Sequence, residues 1–232
     1  MSQLALPLKL QDHAVFESFL PTGNEALVAF LARLVDNGGE PGCWLSGAKS
    51  TGKTHLLQAV CERAGDRALY LPLSQFQAAG PGILDGLATR QFVCLDDIDA
   101  VAGVGEWELA LFQLFNALAD QCRTLVCAAS APPRECGFEL ADLVSRCSRL
   151  PIFQLSPLAE SQRIAALQLR ARHRGLELPD DTANFLLARS RRDMASLYAL
   201  LDRLDTESLK AKRRLTVPFV REVLGLGQPG RA

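Results

Sequence analysis

The chain has 232 residues, of which 48% are hydrophobic and 22% charged, and its formal net charge is −1. This composition excludes wholesale disorder and a generally basic coat for nucleic acid, and the length allows one or two domains. The charge is uneven, because residues 1–156 carry 11 basic and 17 acidic side chains whereas residues 157–232 carry 14 and 9. We expect two modules with different roles, although salt pairing between them would also explain the asymmetry.

The cysteines and the apolar runs indicate the cellular compartment in which the protein is expected to be found. Seven cysteines without a C-x-x-C pair favour buried thiols in a reducing environment over a disulfide framework or a zinc site. No apolar run reaches the roughly 18 residues that a membrane span requires. Pro7 interrupts the N-terminal apolar stretch, and no basic leader precedes it, which argues against a secretory signal. We expect a cytoplasmic protein that does not span a membrane.

The first part of the chain alternates short apolar runs with helical patterns. An amphipathic helix over 24–35 ends in Asn37-Gly38-Gly39, a helix-stop signal. The strands predicted after it are 43–46, 68–73, 92–96, 124–129 and 152–155. The helices predicted between them are 53–63, 83–89, 106–121 and 138–146. Near-continuous apolar strands alternating with helices predict an α/β fold with a parallel five-stranded sheet covered on both faces.

The pattern becomes purely helical after Ser156-Pro157. The predicted helices are 158–174, 181–189, 194–209 and 218–224. We therefore expect a small all-α bundle after the sheet domain. The predicted boundaries are an N-terminal arm over 1–22, a nucleotide-binding domain over 23–156, a helical lid over 157–225 and a tail over 226–232.

The strongest motif follows the first strand and begins a helix. It matches G-x-x-x-x-G-K-S/T and reads Gly47-Ala48-Lys49-Ser50-Thr51-Gly52-Lys53-Thr54. Its glycines allow backbone N–H groups to surround a phosphate at the positive end of a helix. Lys53 would reach the β and γ phosphates of ATP or ADP, and the Thr54 hydroxyl would bind Mg²⁺. An ordinary glycine-rich turn is the alternative explanation.

A second acidic motif ends the third strand. The apolar run 92–95 leads into Asp96 and Asp97. The carboxyl end of such a strand lies at the same sheet edge as the phosphate loop. Asp96 would orient Mg²⁺, and Asp97 could polarise an attacking water. A strand that ends in a solvated acidic turn is the alternative.

Together these motifs resemble the AAA+ branch of the P-loop ATPases, and within it the DnaA-related proteins. The run Asp96-Asp97-Ile98-Asp99 resembles the acidic motif of these proteins. Residues 124–130 followed by two prolines resemble their sensor-1 strand, with Ser130 at the polar tip where relatives commonly carry aspartate. The resemblance makes Ser130 a candidate nucleotide-binding residue, with serine in place of that aspartate. Phe16, Phe19 and Asn24 resemble the segment near adenine, although both phenylalanines could simply be core residues.

Two arginines acquire roles from the same resemblance. Leu143-Val144-Ser145-Arg146 resembles the L-x-S-R box, which makes Arg146 the candidate arginine finger, with Arg149 ranked second. Its spacing alone favours the alternative, in which Arg146 caps helix carbonyls or pairs with Asp142. Arg192, at the start of a lid helix, resembles the sensor-2 arginine that contacts the bound nucleotide. Its alternative is a solvated basic helix start.

The ends of the chain resemble a particular subgroup, the regulatory inactivators of DnaA. We expect no DNA-reading helix-turn-helix domain after 218–224. Gln3, Leu4, Leu6 and Leu8 resemble the peptide that docks replication proteins on the polymerase sliding clamp (beta), though an unremarkable apolar terminus is the alternative. The resemblance implies negative regulation of DNA replication, with DnaA and the clamp as partners. DNA contact would be mainly indirect, through the clamp, and self-association stays open.

Three functions therefore compete. In the first, the chain binds ADP or ATP with Mg²⁺, turns it over weakly or not at all, and uses Arg146 to stimulate hydrolysis of ATP on DnaA. In the second, it is an autonomous ATPase of the helicase-loader or clamp-loader type that works through Asp97. In the third, it only sequesters DnaA.

Overall fold

The structure is a computed structural model that describes residues 14–189 and 194–226. These residues form two compact units. One comprises residues 23–157 with residues 14–16, and the other comprises residues 158–226 with residues 17–22. Within the described residues, no helix is long and apolar enough to cross a membrane.

The first unit is built on a parallel sheet of five strands in the order β2-β3-β4-β1-β5. The predicted fold class is confirmed. Every residue of β1, β3 and β4 is buried, which explains their uninterrupted apolar sequences. The strands are β1 (Gly42–Ser46), β2 (Ala68–Pro72), β3 (Phe92–Asp96), β4 (Thr124–Ala129) and β5 (Ile152–Gln154).

Five α-helices belong to this unit within the described residues: α1 (Glu25–Asn37), α2 (Lys53–Ala64), α3 (Leu73–Phe76), α4 (Gly105–Asp120) and α5 (Ala141–Cys147). The helix predicted over 83–89 is wrong. That segment contains two short 3-10 turns, Pro81–Leu84 and Leu87–Thr89, separated by Gly86 at φ 78°. The left-handed backbone at this glycine prevents one continuous helix. The helix predicted from residue 138 begins instead at Ala141.

One part of this unit's core lies between the sheet and α4. Both tryptophans of the chain belong to it, Trp44 on β1 and Trp107 on α4. Trp44 is fully buried, its indole N–H donates to the carbonyl oxygen of Ala131 at 3.0 Å, and its ring meets Phe138 edge-on. These contacts fasten the segment that connects β4 to α5.

The second unit is a helical bundle that we call the lid. Its core is rich in leucine, including Leu186, Leu197 and Leu201, all fully buried. The buried Arg170 stacks on Tyr198 with 4.3 Å between guanidinium carbon and ring centroid, and it lies 3.9 Å from the carboxylate of Asp202. The lid helices are α6 (Glu160–His173), α7 (Asp180–Arg189), α8 (Met194–Ala211) and α9 (Val217–Val223).

Candidate nucleotide site and arginine finger

The phosphate-loop motif lies between β1 and α2, as predicted. Gly47 has φ 154°, and a Cβ atom there would lie 2.7 Å from the carbonyl oxygen of Leu155. Gly52 is left-handed at φ 103° and is the residue immediately before α2. Glycine is therefore required at position 47, because a side chain would collide with the backbone of Leu155. It is favoured at position 52, because the backbone there is left-handed. The loop turns back over the amino end of α2, where partial positive charge favours an anion.

Lys53 lies inside this loop, with only 9% of its surface exposed. Its ammonium group donates to the carbonyl oxygens of Gly47 at 2.5 Å and Ala48 at 2.9 Å. Burial lowers the pKa of Lys53, while the carboxylates of Asp96, Asp97 and others oppose that shift. A buried cation that is neutralised only partly is suited to receive a phosphate.

The first acidic residue lies beside the loop. Asp96, at the end of β3, is 1% exposed and accepts hydrogen bonds from Thr54 and from the Tyr70 hydroxyl, the latter at 2.9 Å. Burial raises the pKa of the Asp96 carboxyl, and these two donors counteract the shift. The structure thus brings together the two residues predicted to bind Mg²⁺. Tyr70 carries no sequence signal for this role.

The second acidic residue, Asp97, is held differently. Its backbone is left-handed at φ 51°, and its N–H donates to the Asp96 carboxylate at 3.0 Å. Its own carboxylate accepts a 2.6 Å hydrogen bond from the Ser74 hydroxyl on α3. A side chain predicted to polarise water is therefore engaged by a neighbouring hydroxyl. Nothing in the sequence pattern singles out Ser74.

Ser130 lies directly after β4, as the sensor-1 comparison predicts, but its partner is another protein side chain. Both its backbone N–H and its hydroxyl donate to the Asp99 carboxylate, the first at 3.0 Å. The bond joins the acidic motif after β3 to the end of β4. Asp99 was visible in the sequence only as a member of the acidic run.

Arg146 lies on α5, a helix fixed by Leu143 and Cys147, which are both 1% exposed. Its guanidinium is half-buried and, among the residues that the structure describes, makes no hydrogen bond, ion pair or ring contact. The alternative partner Asp142 therefore does not hold it. Arg149 is exposed and, with Arg134, lines a polar pocket along the same helix.

A buried carboxylate fastens the segment before α5, and sequence reasoning missed it. Glu108 on α4 is 1% exposed, and its two oxygens accept hydrogen bonds from three backbone N–H groups. The donors are Gly103, Glu139 and Leu140. A glutamate in the first turn of a helix is so ordinary that no local pattern marks it.

Some predicted site residues cannot be placed. Arg192 and the four residues of the clamp-docking motif, Gln3, Leu4, Leu6 and Leu8, lie outside the part of the chain that the structure describes. Their roles stay predictions. Phe16 is buried, and the guanidinium carbon of Arg63 lies 5.9 Å from the centroid of its ring. Asn24 is also buried.

Comparisons with known proteins agree with this geometry. Residues 160–224 match the family model described as Hda, lid domain. The fold is similar to that of domain III of the replication initiation protein DnaA from Thermotoga maritima, with a TM-score of 0.76, 19% identity, and 95% of this chain and 99% of that chain covered.

Two further solved structures have a similar fold. AMPPCP-bound DnaA from Aquifex aeolicus gives a TM-score of 0.68 at 20% identity, covering 88% of this chain and 70% of that chain. The Holliday junction branch migration motor RuvB from Thermotoga maritima gives 0.63 at 17%, covering 90% and 69%. Residues 160–224 are therefore similar to the lid domain of Hda, and the fold of the chain is that of domain III of DnaA.

Proposed function

We propose that this protein is a regulatory inactivator of DnaA that presents Arg146 to ATP bound on the initiator. The observation that carries the proposal is the state of the Arg146 guanidinium, which is fixed on a packed helix yet has no partner within the described residues. A cation prepared in this way is suited to a negative group on a second molecule. The match of the lid to the Hda family supports the choice of DnaA-related regulation.

The chain's own site fits an adenine nucleotide with Mg²⁺. The buried Lys53 ammonium and the glycines of the loop would hold its phosphates, while Thr54 and Asp96, already joined by a hydrogen bond, would hold the metal. Bound Mg²⁺ would neutralise charge on the phosphate oxygens. DnaA from Aquifex aeolicus binds AMPPCP with a similar fold, which supports a nucleotide here.

We further propose that the bound nucleotide is mainly structural, with ADP as the resting form. Ser74 holds Asp97 through a 2.6 Å hydrogen bond, so that this carboxylate would need to change partners before it could orient water. Ser130 is likewise engaged by Asp99. Both contacts favour a site that retains nucleotide over one that hydrolyses it rapidly.

Arg146 would act in trans. A guanidinium placed against the γ-phosphate neutralises charge that develops in the transition state and is worth about 10³–10⁵ in rate for arginine fingers. Hydrolysis would leave DnaA in its ADP form and so prevent a second round of initiation. The peptide that contains Gln3, Leu4, Leu6 and Leu8 would dock on the sliding clamp and raise the local concentration of the protein near DnaA.

The decisive experiment measures hydrolysis of DnaA-bound ATP in the presence of DNA-loaded clamp. We expect Arg146→Ala to lower the stimulated rate by about 10³-fold or more, with clamp binding retained. Arg149→Ala, two residues beyond the end of α5 and more exposed, is the matched control and should retain most of the stimulation. Full stimulation by Arg146→Ala would refute the finger. Suppression of initiation by a variant that no longer stimulates hydrolysis would instead support sequestration of DnaA.

Clamp docking is tested separately. A variant combining Gln3→Ala with Leu6→Ala should lose capture by immobilised clamp while its nucleotide affinity stays that of the wild type. A variant carrying Lys9→Ala is the control, because it lies next to the motif without belonging to it. Unchanged capture of the double variant would remove the clamp from the proposal.

The second candidate function is autonomous ATP hydrolysis. It is favoured by the position of Asp97, which follows Asp96 at the sheet edge beside the phosphate loop. The purified chain alone distinguishes the candidates. Robust turnover that Asp97→Asn abolishes would favour an autonomous ATPase, whereas negligible turnover with stimulation of DnaA intact would favour the inactivator.

A further inference from the structure

The short helix that carries Arg146 has no side-chain cap of its own. Leu140 occupies the N-cap position of α5, and its side chain cannot accept a hydrogen bond. The first backbone N–H groups of any helix lack partners within the helix and require an acceptor elsewhere. At this terminus the N–H group of the N-cap residue Leu140 donates to an acceptor on another helix.

Glu108 of α4 supplies that acceptor. One of its carboxylate oxygens lies 2.6 Å from the backbone nitrogen of Leu140, and the nitrogen of Glu139 lies 3.0 and 3.1 Å from the two oxygens. The carboxylate also accepts from Gly103 at 2.7 Å, just before its own helix. Such charge-assisted bonds, shielded from water, are short and directional.

These contacts fix the backbone at the start of the short helix α5. Leu143 and Cys147, both buried, pin the middle and end of α5 to the core. Glu108 pins the start, and Trp44 fastens the preceding loop at Ala131 and Phe138. The start of α5, the helix that carries Arg146, is thus held by a buried carboxylate that accepts from the backbone N–H groups of Glu139 and Leu140.

We infer that Glu108 is a positioning residue for the arginine finger: its buried carboxylate fixes the backbone before α5 and thereby the place that Arg146 reaches. The inference rests on the proposed function. Misplacement of a catalytic group by about 1 Å can lower a rate by roughly 100-fold, which makes the anchor functionally important. Glu108 itself, enclosed by α4 and the loops, would not touch DnaA or its nucleotide.

The test uses Glu108→Gln in the full chain, because the amide keeps the shape but can accept at one atom only. One of the N–H groups then faces an amide donor, and the start of α5 loosens. In the clamp-dependent assay, the rate of DnaA–ATP hydrolysis is measured against increasing concentrations of the variant. Glu106→Gln is the matched control, since it removes the same charge from an exposed position in the same turn of α4.

We expect the plateau rate of Glu108→Gln to fall roughly 10- to 100-fold, with the half-saturating concentration unchanged. A purely structural role would give a different result, because a smaller folded fraction raises the half-saturating concentration and leaves the plateau intact. That result, or a wild-type plateau, would overturn the inference. Glu106→Gln should match the wild type in both quantities.

Two further measurements cover the case in which Glu108→Gln does not fold. Glu108→Asp keeps the charge but withdraws the carboxylate by one methylene, and its plateau should also fall. In the wild type, the amide hydrogens of Glu139 and Leu140 should exchange slowly, and rapid exchange at both would overturn the inference. Arg146→Ala in the same assay separates the two ideas: if it stimulates fully, the proposed function fails, whereas if it is inactive and Glu108→Asp is fully active, only the role of Glu108 fails.

Discussion

Charged side chains around the phosphate loop have partners within the protein, whereas the candidate arginine finger on α5 has none among the described residues. Around the loop, three charged candidate side chains have internal partners: Lys53 donates to loop carbonyls, Asp96 accepts from Tyr70, and Asp97 accepts from Ser74. On α5, the Arg146 guanidinium has none within the described residues. In the proposed function, the first region would hold a ligand within its own subunit, and the second would present a charge to another molecule. Three substitutions test this difference.

The largest effect is expected for Lys53→Ala. It removes a buried ammonium that would bind phosphate, so the affinity for ADP should fall on the order of 100-fold, or about 2.7 kcal/mol. Isothermal titration calorimetry measures this directly. Lys49→Ala, an exposed lysine of the same loop, is the control and should bind as the wild type does. Equal ADP affinity in both variants would show that the buried Lys53 does not bind the nucleotide, and the proposed difference between the phosphate loop and α5 would be wrong.

A smaller effect is expected for Gly47→Ala, which probes how tightly the loop is closed. The added methyl would meet the Leu155 carbonyl oxygen at 2.7 Å, so the backbone must move. We expect the free energy of unfolding to fall by about 1–2 kcal/mol, within the usual cost of forcing extra atoms into a packed site. Chemical denaturation measures this loss. Gly65→Ala, where the added atom meets nothing within 4 Å, shares a positive φ and controls for conformation alone. Similar losses in both would show that the close approach is unimportant.

The smallest effect is expected for Ser130→Ala. It removes the hydroxyl bond to Asp99 but leaves the backbone bond in place. Stability should fall by about 1 kcal/mol, with nucleotide affinity nearly unchanged. A loss of ADP affinity as large as that of Lys53→Ala would show instead that Ser130 contacts the nucleotide. The hydrogen bond between Ser130 and Asp99 would then have to open when the nucleotide binds.

Features encoded by neighbouring residues could be predicted from the sequence. Contacts between residues far apart in the sequence could not. The strands could be located because β1, β3 and β4 are buried on both faces and therefore continuously apolar. The phosphate loop was visible because its glycines and lysine occur within eight residues. The segment 83–89 misled because its apolar spacing fits a helix, whereas Gly86 interrupts it with a left-handed backbone.

The partners of the site residues escaped prediction for the same reason. Glu108 meets Glu139 and Leu140 across 31 and 32 positions, and Ser130 meets Asp99 across 31. Such pairings depend on the crossing of strands and helices rather than on any local pattern. A sequence therefore indicates which groups carry chemistry more readily than which groups hold them in place.

Trp44 and Trp107 have a practical consequence for folding studies. Both lie in the core of the sheet unit, and the chain contains no other tryptophan. Their emission should shift to longer wavelength when that unit opens to water, while a melted lid would leave the spectrum unchanged. A denaturation curve followed by fluorescence and another followed by far-ultraviolet circular dichroism would coincide only if both units unfold in one cooperative step.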